Sequence, residues 1–154
     1  MNDHLRHIEA LAVNARKTAG IDKLPVDVSL IAEKLGLKVI DFDFPESFSG
    51  VLKKEHGAIG VNKNHSLVRR RFTIAHELGH FLLGHQEDSI DDQLDKPMPL
   101  EREANTFASH LLMPTDLIVK KVGETGIDLE LFAKEFLVSK QAMTIRLLEM
   151  NLIK

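Results

Sequence analysis

The chain has 154 residues, a length suited to one domain that buries about two thirds of the surface its unfolded form exposes. It contains no cysteine, which excludes a disulfide framework, thiolate metal sites and a cysteine nucleophile. The net charge of −3 gives no case for a nucleic-acid or membrane surface, and no apolar run has the length of a signal segment or a span, so a cytoplasmic protein without membrane contact is expected.

Residues 5–19 carry Leu5, Ile8, Leu11, Ala12 and Ala15 at helical spacing and end at Gly20, which predicts an amphipathic helix. Leu24-Pro25-Val26-Asp27 is a turn whose aspartate can cap a second helix through Leu30, Ile31 and Leu35 to Gly36. A short strand over 37–42 follows, and the β-like runs 48–54 and 58–62 flank Glu55-His56-Gly57 as a hairpin. A long helix starts near Ser66, whose hydroxyl can cap it, and runs to about Leu83 before Gly84, with Leu67, Phe72, Ala75, Leu78 and Leu82 facing the core. Residues 86–99 are acidic and aperiodic and read as a loop, long enough for a lid or substrate rim. A helix over 100–112 buries Leu100, Ala104, Phe107, Ala108 and Leu111 and stops at Met113-Pro114. Further helices are expected over 114–122 and from Leu129 to the C-terminus, with a break near Val138-Ser139. The sum is an α+β chain. N-terminal helices precede a short three-stranded sheet, two central helices pack together, and C-terminal helices close the domain over 1–154.

Chemistry concentrates in His76-Glu77-Leu78-Gly79-His80. On a helix, residues four apart point the same way, so both imidazoles can reach one ion while Glu77 stands beside a bound water. A catalytic zinc site needs a third protein ligand. His85 lies five residues beyond His80 and past Gly84, rotated off the ligand face, and Leu83 and Gln86 stand where a metzincin needs Gly and His. A distant carboxylate remains, and Glu101 and Glu103 flank the apolar stripe of the next helix on opposite sides, so periodicity does not choose between them. Asn105, one turn after Glu101, can accept a hydrogen bond from a ligand imidazole, which favours Glu101 and leaves Glu103 as the alternative.

The segments 71–80 (Arg-Phe-Thr-Ile-Ala-His-Glu-Leu-Gly-His) and 101–114 (Glu-Arg-Glu-Ala-Asn-Thr-Phe-Ala-Ser-His-Leu-Leu-Met-Pro) resemble the ImmA/IrrE family of bacterial and phage metallopeptidases. So do Leu24-Pro25-Val26-Asp27 with Ile31-Ala32 and Leu35-Gly36, and Val138-Ser139 with Arg146-Leu147-Leu148. The resemblance implies a small zincin-like domain of the gluzincin type, with one zinc ion held by His76, His80 and Glu101 and with Glu77 as the catalytic carboxylate. It also implies a protein substrate, a helix-turn-helix repressor whose cleavage releases stress or mobile-element genes. Relatives with an added helix-turn-helix or sensor domain exist, and this chain is expected to lack both.

A His/His/Glu site can also take manganese or another divalent metal. The chain has no tyrosine to stabilise an oxyanion, and the candidates are His85, His110, His65, an arginine, or zinc acting with backbone amides alone. Ala58-Ile59-Gly60-Val61 is either an edge that pairs with an extended peptide or a fully paired structural strand. Arg69 to Arg71 reads as a solvated helix face, with Arg71 packing or pairing, and direct nucleic-acid binding is not expected. The competing function is a zinc-binding anti-repressor that dislodges its partner without proteolysis.

Overall fold

The structure, a computed structural model, describes residues 2–85, 89–92 and 98–154. Helices α1 (Asp3–Thr18) and α2 (Val28–Lys34) come first, followed by strands β1 (Lys38–Phe42), β2 (Phe48–Lys53) and β3 (Ala58–Asn62). Next are α3 (Leu67–Leu82), β4 (Ser89–Asp92), α4 (Met98–Leu112), α5 (Thr115–Thr125), α6 (Leu129–Phe136) and α7 (Lys140–Glu149).

Helix starts are set by local chemistry. The Asp27 carboxylate accepts from Leu30 N at 3.0 Å, and the Ser66 hydroxyl accepts from Arg69 N at 3.3 Å, as their positions before apolar runs predict. The C-terminal break falls where expected. Leu137 turns with φ 55°, and Ser139 then caps α7 by accepting from Ala142 N at 3.0 Å.

The three expected strands form, and β2 and β3 make the hairpin through a short 3-10 turn over Lys54–His56. Two features differ from expectation. Part of the segment read as a loop is a fourth strand, β4, which pairs antiparallel with β2, while residues 86–88 and 93–97 of that segment lie outside the described residues. The sheet order is β1-β3-β2-β4, so β3 pairs on both sides, parallel to β1 and antiparallel to β2. The edge reading of residues 58–61 is thereby overturned. β3 has no free ladder to offer a peptide, and the outer strands are β1 and β4.

Helix α3 runs through the middle, with β2 and β3 on one side and α4 on the other, and α4 packs in turn on α1. The sheet comes close to α3 at Gly50, where a Cβ would sit 2.6 Å from Thr73 Cγ2. Leu52 and Ile59 from the sheet, Leu78 from α3, and Phe107, Leu111 and Ile118 from α4 and α5 are fully buried. Leu67 departs from its expected core position and is 51% exposed, because it opens the first turn of α3 before the helix enters the core.

Arg71 is buried and ties three segments together, donating to Val26 O at 2.7 Å, Leu137 O at 3.3 Å and Phe136 O at 3.4 Å. Its partners lie far away in sequence. Arg16 similarly binds both Asp116 oxygens at 2.7 and 2.8 Å, joining α1 to α5. Among the described residues no helix is long and apolar enough to cross a membrane.

Candidate metal centre

Helix α3 carries His76 and His80 one turn apart, and both are nearly inaccessible, at 2% and 3% exposure, with Glu77 at 0% between them. Their Nε2 atoms lie 3.1 Å apart. Glu101 in the first turns of α4 completes the group, with Oε2 3.1 Å from His76 Nε2 and Oε1 2.8 Å from His80 Nε2. A tetrahedral ion with ligand bonds of about 2.0–2.1 Å spaces its ligands roughly 3.3–3.4 Å apart, so the three donors at 2.8–3.1 Å would open by about 0.2–0.6 Å to take one.

The hydrogen-bond partners behind the rings support the same conclusion. His76 Nδ1 is 2.7 Å from Asn105 Oδ1, an acceptor, so this nitrogen carries the proton and Nε2 presents its lone pair to the group. Lone pairs and a carboxylate converging in a buried place suit a cation. Asn105 thus stands behind the His76 imidazole. Phe72, one turn before His76, places its ring 6.4 Å from that imidazole.

The α3–α4 contact that brings these donors together depends on Gly79. A Cβ there would lie 3.1 Å from Ala104 O and 3.2 Å from Ala104 Cα and Phe107 Cβ. Only a residue without a side chain lets the two helices approach this closely. Sequence spacing does not reveal that role, because the demand comes from the partner helix.

Glu103, the alternative carboxylate, turns the other way, with Oε1 3.2 Å from His85 Nε2 and Oε2 3.1 Å from His4 Nε2. Burial pushes its pKa up, but hydrogen bonds from His85 and His4 outweigh this and hold the carboxyl below its ordinary value. His85 itself returns to His80, Nδ1 to Nδ1 at 2.6 Å. Helical angles would carry it off that face only if the helix continued. Gly84 at φ 71° ends α3, and His85 N–H then bonds back to His80 O at 3.1 Å.

The other candidate histidines are held elsewhere. His110 lies nine residues after Glu101 on α4, about 14 Å along the axis, with Nδ1 3.2 Å from Glu9 Oε2. Burial and the Arg146 charge outweigh Glu9 and lower its pKa to about 4. His65 sits before α3, where Nε2 is 3.2 Å from Asn62 Nδ2 and 3.0 Å from Glu46 O. Arg69 pairs with Glu46 at 2.8 Å and Arg71 is buried, so these two members of the arginine run do not form an open basic patch.

Two imidazoles from one helix and a carboxylate from the next are the donor set of a His/His/carboxylate metal centre. The chain belongs to the ImmA/IrrE family of metallopeptidases, since residues 32–148 match the family model described as the IrrE N-terminal-like domain. It is similar to the radiation response metalloprotease IrrE of Deinococcus radiodurans, with 32% identity over 109 residues, 65% of this chain and 33% of that protein. It is also similar to the protein of the same description from Deinococcus deserti, with 33% identity over 109 residues, 65% of this chain and 39% of that protein. The chain therefore spans a good deal less than half the length of these curated relatives. A solved Mycobacterium tuberculosis transcriptional regulator has the same fold, with a TM-score of 0.69 and 18% identity, over 92% of this chain and 46% of that one.

Proposed function

We propose that residues 1–154 form one zinc-dependent endopeptidase domain in which His76, His80 and Glu101 hold the ion and Glu77 is the catalytic carboxylate. The observation that carries this reading is the convergence of His76 and His80, on the helix that also bears Glu77, with Glu101 on α4, their donor atoms all within 4.8 Å of one another. Manganese or another divalent metal suits the same donors. When bound, the ion supplies Lewis acidity, which polarises a carbonyl and acidifies water. Glu77 takes the proton of the attacking water and passes it to the leaving amine. Asn105 accepts the Nδ1 proton of His76 and so keeps its Nε2 turned to the ion.

A groove of about 620 Å³ between α3, α4 and α7 runs behind His76, on its Nδ1 side, and is lined by none of His76, Glu77, His80 and Glu101. Val68, Phe72, Leu112, Val138 and Ala142 give it an apolar wall, and Phe72 and Asn105 connect it to His76. Following the family resemblance, the substrate is a helix-turn-helix repressor, cut in the cytoplasm without direct contact to nucleic acid or membrane by this chain.

The test incubates zinc-loaded protein with the repressor encoded beside its gene, in parallel with Glu77→Gln, and identifies products by mass spectrometry. Fragments from the parent and a loss of about 10²–10⁴-fold in Glu77→Gln are expected. Release of the repressor from DNA by both proteins without any fragment would replace the peptidase by a non-cleaving anti-repressor.

A further inference from the structure

Behind His80 stands a second imidazole. The 2.6 Å contact from His80 Nδ1 to His85 Nδ1 continues from His85 Nε2 to Glu103 Oε1 at 3.2 Å and from Glu103 Oε2 to His4 Nε2 on α1 at 3.1 Å. His80 and His85 are 3% and 8% exposed, so water competes little for the inner bond. The backbone builds the contact through the left-handed Gly84 and the return bond from His85 N to His80 O.

We propose that His85 is a positioning residue for His80, and that Glu103 acts through it to fix the tautomer and ring orientation of that metal ligand. The inference rests on reading His80 as a ligand through Nε2. With Nε2 turned to the ion, the ring proton of His80 sits on Nδ1. Two nitrogens 2.6 Å apart share one proton, so His80 donates and His85 Nδ1 accepts. His85 then carries its own proton on Nε2 and donates it to Glu103, whose second oxygen accepts from His4. Each donor and acceptor is thus assigned from the metal end outward. His76, by contrast, donates directly to the neutral amide of Asn105 at 2.7 Å. The two ligand rings therefore have different support, one an amide and the other a two-step chain that ends in a carboxylate.

A packing role would ask only for a ring of this size at position 85, whereas a positioning role asks for an acceptor at Nδ1. Nitrogen-15 NMR of the zinc-loaded parent reads this directly. His80 is expected with its proton on Nδ1 and His85 with its proton on Nε2; a proton on His85 Nδ1 would overturn the proposal. Zinc competition and the visible spectrum of the cobalt-substituted protein then compare two variants. His85→Phe keeps the ring without the acceptor, and its zinc dissociation constant should rise about 10–100-fold with an altered cobalt spectrum. His85→Asn sets an amide oxygen near the place of Nδ1 and should recover most of that loss. A folded His85→Phe with the parent's affinity and spectrum would overturn the proposal. Failure of the peptidase reading looks different, since tight zinc binding that depends on His85 can coexist with absent proteolysis. A parent whose zinc affinity is unchanged by His80→Ala would sink the metal-centre reading and this inference together.

Discussion

Replacing Gly79 by alanine tests whether the α3–α4 contact sets the metal geometry. The new methyl would meet Ala104 O at 3.1 Å and Ala104 Cα and Phe107 Cβ at 3.2 Å. Carbon contacts are comfortable at about 3.5–4.0 Å, so α4 must retreat by roughly 0.3–0.5 Å. Two of the three atoms are backbone, which no rotamer change can relieve. Alanine gains about 1 kcal/mol over glycine in helix propensity, while overpacking costs about 1–3 kcal/mol. The metal-free protein is therefore expected to lose between about 0 and 2 kcal/mol. Gly123 on α5 supplies the control, because nothing lies within 4 Å of a Cβ there. Gly123→Ala should gain about 0.5–1 kcal/mol. The larger effect falls on the ion. Ala104 is three residues from Glu101, and ligand distances tolerate only about 0.2 Å, so zinc affinity in Gly79→Ala should fall about tenfold. Urea denaturation of chelated protein and zinc competition titration measure the two effects. If Gly79→Ala gained as much stability as Gly123→Ala and bound zinc like the parent, the contact would have no hold over the site.

Two further outcomes concern stability. Arg71→Met leaves the carbonyls of Val26, Phe136 and Leu137 without their shared donor and should cost about 3 kcal/mol in urea denaturation; a change below about 0.5 kcal/mol, the range of an ordinary surface substitution, would mean that solvent replaces the guanidinium. His110 has a folded pKa of about 4 against an ordinary 6.5, because of burial and Arg146, against the pull of Glu9. Its unfolded form takes up a proton first as pH falls, so its contribution is full above about 6.5 and is lost progressively towards pH 4, by at most roughly 3 kcal/mol. Parallel denaturation series for parent and His110→Gln should show the smaller loss in the variant over that window, and parallel curves would show that His110 does not titrate in this way.

The readings that succeeded rest on interactions a few residues long. Asp27 and Ser66 cap their helices because each hydroxyl or carboxylate reaches an amide three residues on. The β2–β3 hairpin joins strands that are neighbours in the chain. Position in the sheet is a longer-range matter. Residues 58–61 are the same short apolar run whether they lie at an edge or between β1 and β2, and β4 pairs with a strand some forty residues earlier.

The same division runs through the candidate site. By itself the sequence determined that His76 and His80 share a face with Glu77 beside them, because 3.6 residues per turn leaves no other arrangement on a helix. It narrowed the third donor to Glu101 or Glu103 and favoured Glu101 through Asn105, but could not rotate α4 about its axis. That rotation was decided by packing: with Ala104 against Gly79, Glu101 faces the imidazoles and Glu103 faces His85 and His4. Only the tertiary structure folded His85 back onto His80 and buried Arg71 among distant carbonyls, because contacts across elements follow the shape of surfaces that spacing does not encode.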